Sequence, residues 1–166
     1  MMTDYKKYIN VVADFPKDGI FFKDISPLLA NDEIFKGAIG DMGRLVKNPK
    51  YWVGVDARGF IFASALSIIY GGGVILCRKK DKLPPPKNQK SYDLEYGSST
   101  LEMKSGEGEV VIVDDVLATG GTLQATNLLA EESGYNVVGN LVLIDLKYVP
   151  RDDNFNLDVK SLVNYE

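Results

Sequence analysis

The chain has 166 residues, 45% of them hydrophobic, with one cysteine, no histidine and a formal charge of −4. That length and apolar fraction suit one globular domain with a sizeable core. The acidic balance excludes the broad positive field that draws proteins to nucleic acid or anionic membrane, and the lack of histidine excludes Ser-His and Cys-His catalysis and imidazole zinc sites.

The N-terminal MMTDYKKYIN lacks the apolar centre of a signal peptide, and no run reaches transmembrane length, so a soluble cytoplasmic protein is expected. Ile34, Phe35, Ala38, Ile39, Met42, Leu45 and Val46 form a helical stripe. YWVGV (51–55) reads as a buried strand, and FIFASALSII (60–69) as a helix starting right after Arg58-Gly59. VILC (74–77) is the next strand; its Cys77 rules out a disulfide within the chain and reads as a core residue.

Residues 79–100 interrupt the pattern with a polar stretch holding three consecutive prolines. Loops longer than about 12–15 residues are uncommon without a functional reason. Tyr92, Leu94 and Tyr96 alternate as one arm of a mobile hairpin would, a lid over something. VVIV (110–113), the helix LQATNLLAEES (123–133) and the strand NLVLI (140–144) complete the order. Strands separated by helices predict an α/β fold with a parallel central sheet flanked by helices, in which ligands sit beyond the carboxyl ends of the strands. Asp56-Ala57-Arg58 and Asp114-Asp115 both fall at such ends.

Ala118, Thr119, Gly120, Gly121 and Thr122 form a small-residue turn leading into a helix. Such a turn offers backbone N–H groups and a helix dipole to an anion, and the two threonines add hydroxyl donors. No Walker sequence is present, which removes the main support for triphosphate hydrolysis. Asp114 and Asp115, directly before the turn, cannot serve a phosphate, but they can accept strong hydrogen bonds from two neighbouring hydroxyls. A phosphate beside a vicinal diol is a ribose 5-phosphate. The same carboxylates would favour the positive charge of an oxocarbenium-like transition state at the anomeric carbon.

VVIVDDVLATGGT (110–122) resembles the phosphoribosyl-diphosphate (PRPP) signature of the type I phosphoribosyltransferases. DFPKDGIFFKDISPLL (14–29), GVDARGFIF (54–62), RKKDKLP (78–84), SYDLEYG (91–97) and SLVNYE (161–166) are similar to the adenine-using branch of that family, in order and over nearly the whole chain. The resemblance implies one domain over 1–166, with a base-binding hood at 1–30 and a lid at 79–100. It implies transfer of the 5-phosphoribosyl group from PRPP to adenine, giving AMP and pyrophosphate, with Mg²⁺ carried mainly on the diphosphate and no dedicated protein metal site. By resemblance, Ala118 to Thr122 hold the 5-phosphate, and Asp114 and Asp115 the ribose hydroxyls. Asp56, Ala57 and Arg58 form a diphosphate loop with a cis peptide before Ala57. Arg78, Lys79, Lys82 and Tyr96 join that diphosphate set, with Arg78 reaching a neighbouring active site across a homodimer. Phe21, Phe22, Lys23 and Leu117 bind the base. Glu95 of the lid accepts the purine N9 proton, because the turn position that carries an aspartate in the hypoxanthine-guanine branch is Ala118 here.

Two departures stand out: Lys23 occupies a position usually held by arginine, and KLPPPKNQK is not the common lid spelling, which bears on lid shape and rate. The alternatives are a PRPP transferase for another purine, such as xanthine, and a PRPP sensor without turnover, although no DNA-binding segment is visible.

Overall fold

The computed structural model describes residues 2–94 and 97–166. Its centre is a sheet of strands β3 (Tyr51–Val55), β4 (Gly73–Lys79), β7 (Gly108–Leu117), β8 (Tyr135–Leu146) and β9 (Lys160–Tyr165), paired in parallel in the order β4-β3-β7-β8-β9. Beyond β4 the sheet continues as an antiparallel hairpin of β5 (Asn88–Leu94) and β6 (Gly97–Met103). A separate antiparallel ribbon pairs β1 (Asn10–Ala13) with β2 (Phe21–Asp24). The helices are α1 (Ser26–Ala30), α2 (Asp32–Gly43), α3 (Gly59–Tyr70) and α4 (Gly121–Glu132). No helix among the described residues is long and apolar enough to cross a membrane.

Helices cover both faces of the parallel strands, so those strands can be apolar at every position. Val110, Val111, Ile112 and Val113 of β7 are all fully buried. Val111 and Val113 join Ile39, Met42, Phe62 and Leu66 in one core layer. Val110 and Ile112 join Cys77, Leu123 and Leu129 in the other. The Cys77 thiol is buried, and that burial pushes its pKa up to about 12, which leaves it inert as a nucleophile.

Two expected boundaries move. The helical stripe stops at Gly43, so Leu45 lies outside α2 and is 40% exposed. Strand β7 does not end at Val113 but carries its ladder with β8 through Asp114, Val116 and Leu117. The acids therefore stand on hydrogen-bonded strand, not on loop. The proline-rich stretch is organised as well. Glu102 on β6 is fully buried; it accepts backbone N–H bonds from Lys82 and Leu83 at 3.1 and 3.2 Å and pairs with Lys87 Nζ at 2.6 Å.

Candidate active site

The carboxyl ends of β3, β4, β7 and β8 lie on one side of the molecule, where the strand-to-helix connections gather the polar residues. Asp56, Ala57 and Arg58 follow β3 and lead into α3 at Gly59. A Cβ at Gly59 would lie 2.6 Å from the Val113 carbonyl and 3.3 Å from Asp114 Oδ1. Glycine therefore lets the start of α3 rest directly against the acid-bearing strand. The Asp56–Ala57 peptide is cis, as the resemblance implies. Ala118 to Gly120 follow β7 and lead into α4. Gly120 has φ +93°, and a Cβ there would meet the Phe155 ring at 2.3 Å, so only glycine fits.

These pieces face one another across a cleft of about 550 Å³ lined by Asp56, Ala57, Arg58, Lys79, Asp114 and Asp115, with Ala118 and Thr122 at its floor. Tyr92, Leu94 and Ser99 of the β5–β6 hairpin complete the wall. The hairpin is tied down on that side: Tyr92 and Thr122 share a hydroxyl–hydroxyl bond at 3.0 Å, and Lys90 Nζ meets Glu132 at 2.6 Å.

The two acids differ in state. Burial and the adjacent Asp115 carboxylate raise the pKa of Asp114 well above the ordinary carboxylate range. Asp114 Oδ1 also accepts the Asp115 backbone N–H at 2.8 Å. Asp115 is paired with the Arg58 guanidinium. Arg58 in turn lies 5.6 Å from the centre of the Phe22 ring on β2. This one guanidinium therefore links the acids, the diphosphate-loop candidate and the β1–β2 ribbon.

The remaining predicted residues are placed less uniformly. Phe21 is 52% exposed, and Phe22 packs edge-on against Phe15 at 5.3 Å. Lys23 turns away from Arg58 to lie over the Tyr165 and Tyr148 rings at 4.4 and 5.6 Å, and burial lowers its pKa. Leu117 does not line the cleft. The strict alternation of β7 slips between Val113 and Val116, so Leu117 packs with Val110 and Ile112 in the core on the α4 side, where it is 3% exposed and borders a small hollow lined by the turn. Lys82 is exposed and also stands off the cleft, its backbone N–H held by Glu102. Arg78 stands beside the cleft loop: its Nε is 3.5 Å from Asp56 Oδ2 and its guanidinium 5.8 Å from the Phe60 ring. Glu95 and Tyr96 lie outside the described residues.

Sequence reasoning missed Arg151 and Asp152, which support the turn from behind. Arg151 Nη1 donates to the carbonyls of Ala118 (2.5 Å), Leu146 and Val149, and its Nη2 pairs with Asp145. The Asp152 N–H donates to the Thr119 carbonyl at 2.9 Å. The available signal was an acid at the end of strand β8 followed six residues later by an arginine in a loop.

A parallel sheet with an acid-tipped strand feeding a helix-capped anion turn, faced by a second polar loop, defines an α/β transferase of phosphorylated sugars. The chain belongs to the phosphoribosyl transferase domain family, whose model matches residues 27–158. Within that family it is similar to adenine phosphoribosyltransferases. The adenine phosphoribosyltransferase of Bdellovibrio bacteriovorus is 43% identical, over 98% of this chain and 99% of the relative. The solved structure of the Rhodothermus marinus adenine phosphoribosyltransferase superposes with TM-score 0.83 at 38% identity, covering 96% of both chains. That of Saccharomyces cerevisiae, solved with adenine and an imino-altritol bisphosphate, superposes with TM-score 0.87 at 30% identity over 96% of both.

Proposed function

We propose that this chain transfers the 5-phosphoribosyl group from PRPP to adenine, forming AMP and pyrophosphate in purine salvage. The observation that carries the reading is that Asp114 and Asp115 share one cleft with the phosphate-turn residues Ala118 and Thr122. Backbone N–H groups at the start of α4, with Thr119 and Thr122, take the 5-phosphate. Asp114 and Asp115 take the ribose hydroxyls and stabilise the positive charge that grows as the bond to the leaving diphosphate breaks. Arg58 and Lys79, on the opposite wall, receive that diphosphate. For this to happen Arg58 must loosen from Asp115 as the ribose hydroxyls arrive.

Mg²⁺ fits this cleft as a hard cation, since the donors are carboxylates; Asp114 and Asp115 would meet it through water. When bound, the ion neutralises charge on the leaving diphosphate. Phe21 and Phe22 offer aromatic surface to the base from the hood, residues 1–30, and residues 79–100 act as the lid. We assign Glu95 to the N9 proton, supported by the place of its neighbour Leu94 on the cleft wall. Glu95→Gln should lower kcat at least tenfold with little change in PRPP affinity, and unchanged turnover removes the residue from that role.

A homodimer, with Arg78 serving the partner's diphosphate, belongs to the same reading. It is supported by Ile61, Ile68, Ile69 and Leu76, which leave an apolar patch exposed on α3 and β4. A cytoplasmic setting accords with the free Cys77 thiol. The decisive assay offers adenine, hypoxanthine, guanine and xanthine with PRPP and Mg²⁺ and follows pyrophosphate release. Adenine should be strongly preferred; preference for a 6-oxopurine overturns the assignment, and PRPP binding without release points to a sensor.

A further inference from the structure

We propose that Arg151, with the backbone of Asp152, is a positioning residue for the phosphate turn. It sets which way two consecutive peptide planes face and so governs affinity for the phosphorylated sugar. The inference rests on the PRPP reading above, but its observations are separate. Arg151 Nη1 holds the Ala118 carbonyl at 2.5 Å, and the Asp152 N–H holds the next carbonyl, that of Thr119, at 2.9 Å.

In a planar trans peptide the C=O and the following N–H point in opposite directions. Fixing the Ala118 carbonyl against Arg151 therefore turns the Thr119 N–H away from the 151–152 loop. Fixing the Thr119 carbonyl does the same for the Gly120 N–H. Neither N–H donates to a backbone or side-chain acceptor among the described residues. Both are thus left for an anion. Glycine at 120 makes the need for a brace acute, because a residue so free can rotate its peptide planes and present carbonyl oxygens to the phosphate instead.

Arg151 is suited to this work. Its Nη1 also reaches the carbonyls of Leu146 at 3.1 Å and Val149 at 3.3 Å, while Nη2 pairs with Asp145 at the end of β8. The side chain is three-quarters buried and its guanidinium is tied to the sheet, so it transmits the rigidity of β8 to a turn belonging to β7. Lysine could keep the charge against Asp145 but has no planar fork that holds two directions at once.

The test measures Mg-PRPP binding by calorimetry, together with KM for PRPP, KM for adenine and kcat, in the wild type, R151A, R151K and D145N. Wild-type binding is the control that separates this inference from the functional reading: a wild type that does not bind PRPP sinks the reading itself. With wild-type binding in hand, R151A should weaken PRPP at least tenfold and R151K at least threefold, with KM for adenine and kcat at saturating PRPP within threefold of wild type. Millimolar methylguanidine should restore part of the R151A loss. R151K and D145N keep the question open to measurement if R151A does not fold. Wild-type PRPP affinity in the folded variants overturns the proposal, as does a joint fall of kcat and both KM effects that merely tracks thermal destabilisation.

Discussion

Asp114 and Asp115 are adjacent in sequence but not equivalent. Asp115 has Arg58 as its partner, whereas Asp114 has burial and a neighbouring carboxylate, which favour its neutral form. On the proposed reading, a cationic transition state beside the pair would favour the ionised form of Asp114, so the acids would bind the reacting sugar more tightly than the substrate. Asp114→Asn and Asp115→Asn should each lower kcat/KM for PRPP tenfold or more, about 1.4 kcal/mol per factor of ten. Initial-rate kinetics with PRPP varied would check this, and a variant with wild-type kinetics would show that its carboxylate holds no ribose hydroxyl. The place of these acids beside the turn could be read from the sequence because strand and turn are contiguous there. The Arg58–Asp115 pair, spanning 57 residues, could not, since sequence spacing is silent about which loops converge.

The β5–β6 hairpin shows how an element of unpromising composition is held. Burial alone would raise the pKa of Glu102; the Lys87 ammonium and the backbone N–H groups of Asp81, Leu83 and Lys82 outweigh it and hold the carboxyl near 2. A carboxyl depressed from 4.5 to about 2 on folding stabilises the native state fully above pH 4.5, and that contribution fades as pH falls toward 2. The protection factors of the Lys82 and Leu83 amides, measured by hydrogen exchange, should therefore fall below pH 4.5 before those of the parallel strands do. Lys87→Met, which leaves a buried carboxylate unpaired, should destabilise this region by about 3 kcal/mol and remove its distinct acid response. Retention of wild-type exchange in that variant would mean that Glu102 does not anchor the hairpin base. Composition marked residues 79–100 only as a long polar stretch with three prolines, in which Tyr92, Leu94 and Tyr96 pointed to a hairpin arm. The anchor was invisible because Glu102 lies beyond the segment it organises.

The whole molecule places its chemistry at the edge where parallel strands end, and it leaves apolar surface elsewhere. Ile68 is 86% exposed and Ile69 51%, on a helix whose other face is core. If a second copy covers them, Ile68→Asp should shift the sedimentation of the protein from dimer to monomer and lower activity together. A wild type that sediments as a fully active monomer would refute the dimer. The parallel order, the crossover helices and the cleft at the carboxyl ends follow from the alternation of apolar strands with helical stripes, which is a local pattern. The β1–β2 ribbon and β9 gave no such signal, because their pairing partners, not their own periodicity, make them strands.

Sequence alone determined which groups single connections carry: the acid pair, the glycine turn and the apolar run that puts both at a strand's end. Local order suffices there, because residues a few positions apart cannot separate. Only the tertiary structure decided what lies opposite and behind. Arg58 rests on Asp115, Arg151 braces the turn from 33 residues away, and Leu117 belongs to the core and not to the cleft. Those relations depend on how the sheet stacks its connections in space, and chain distance carries no record of that.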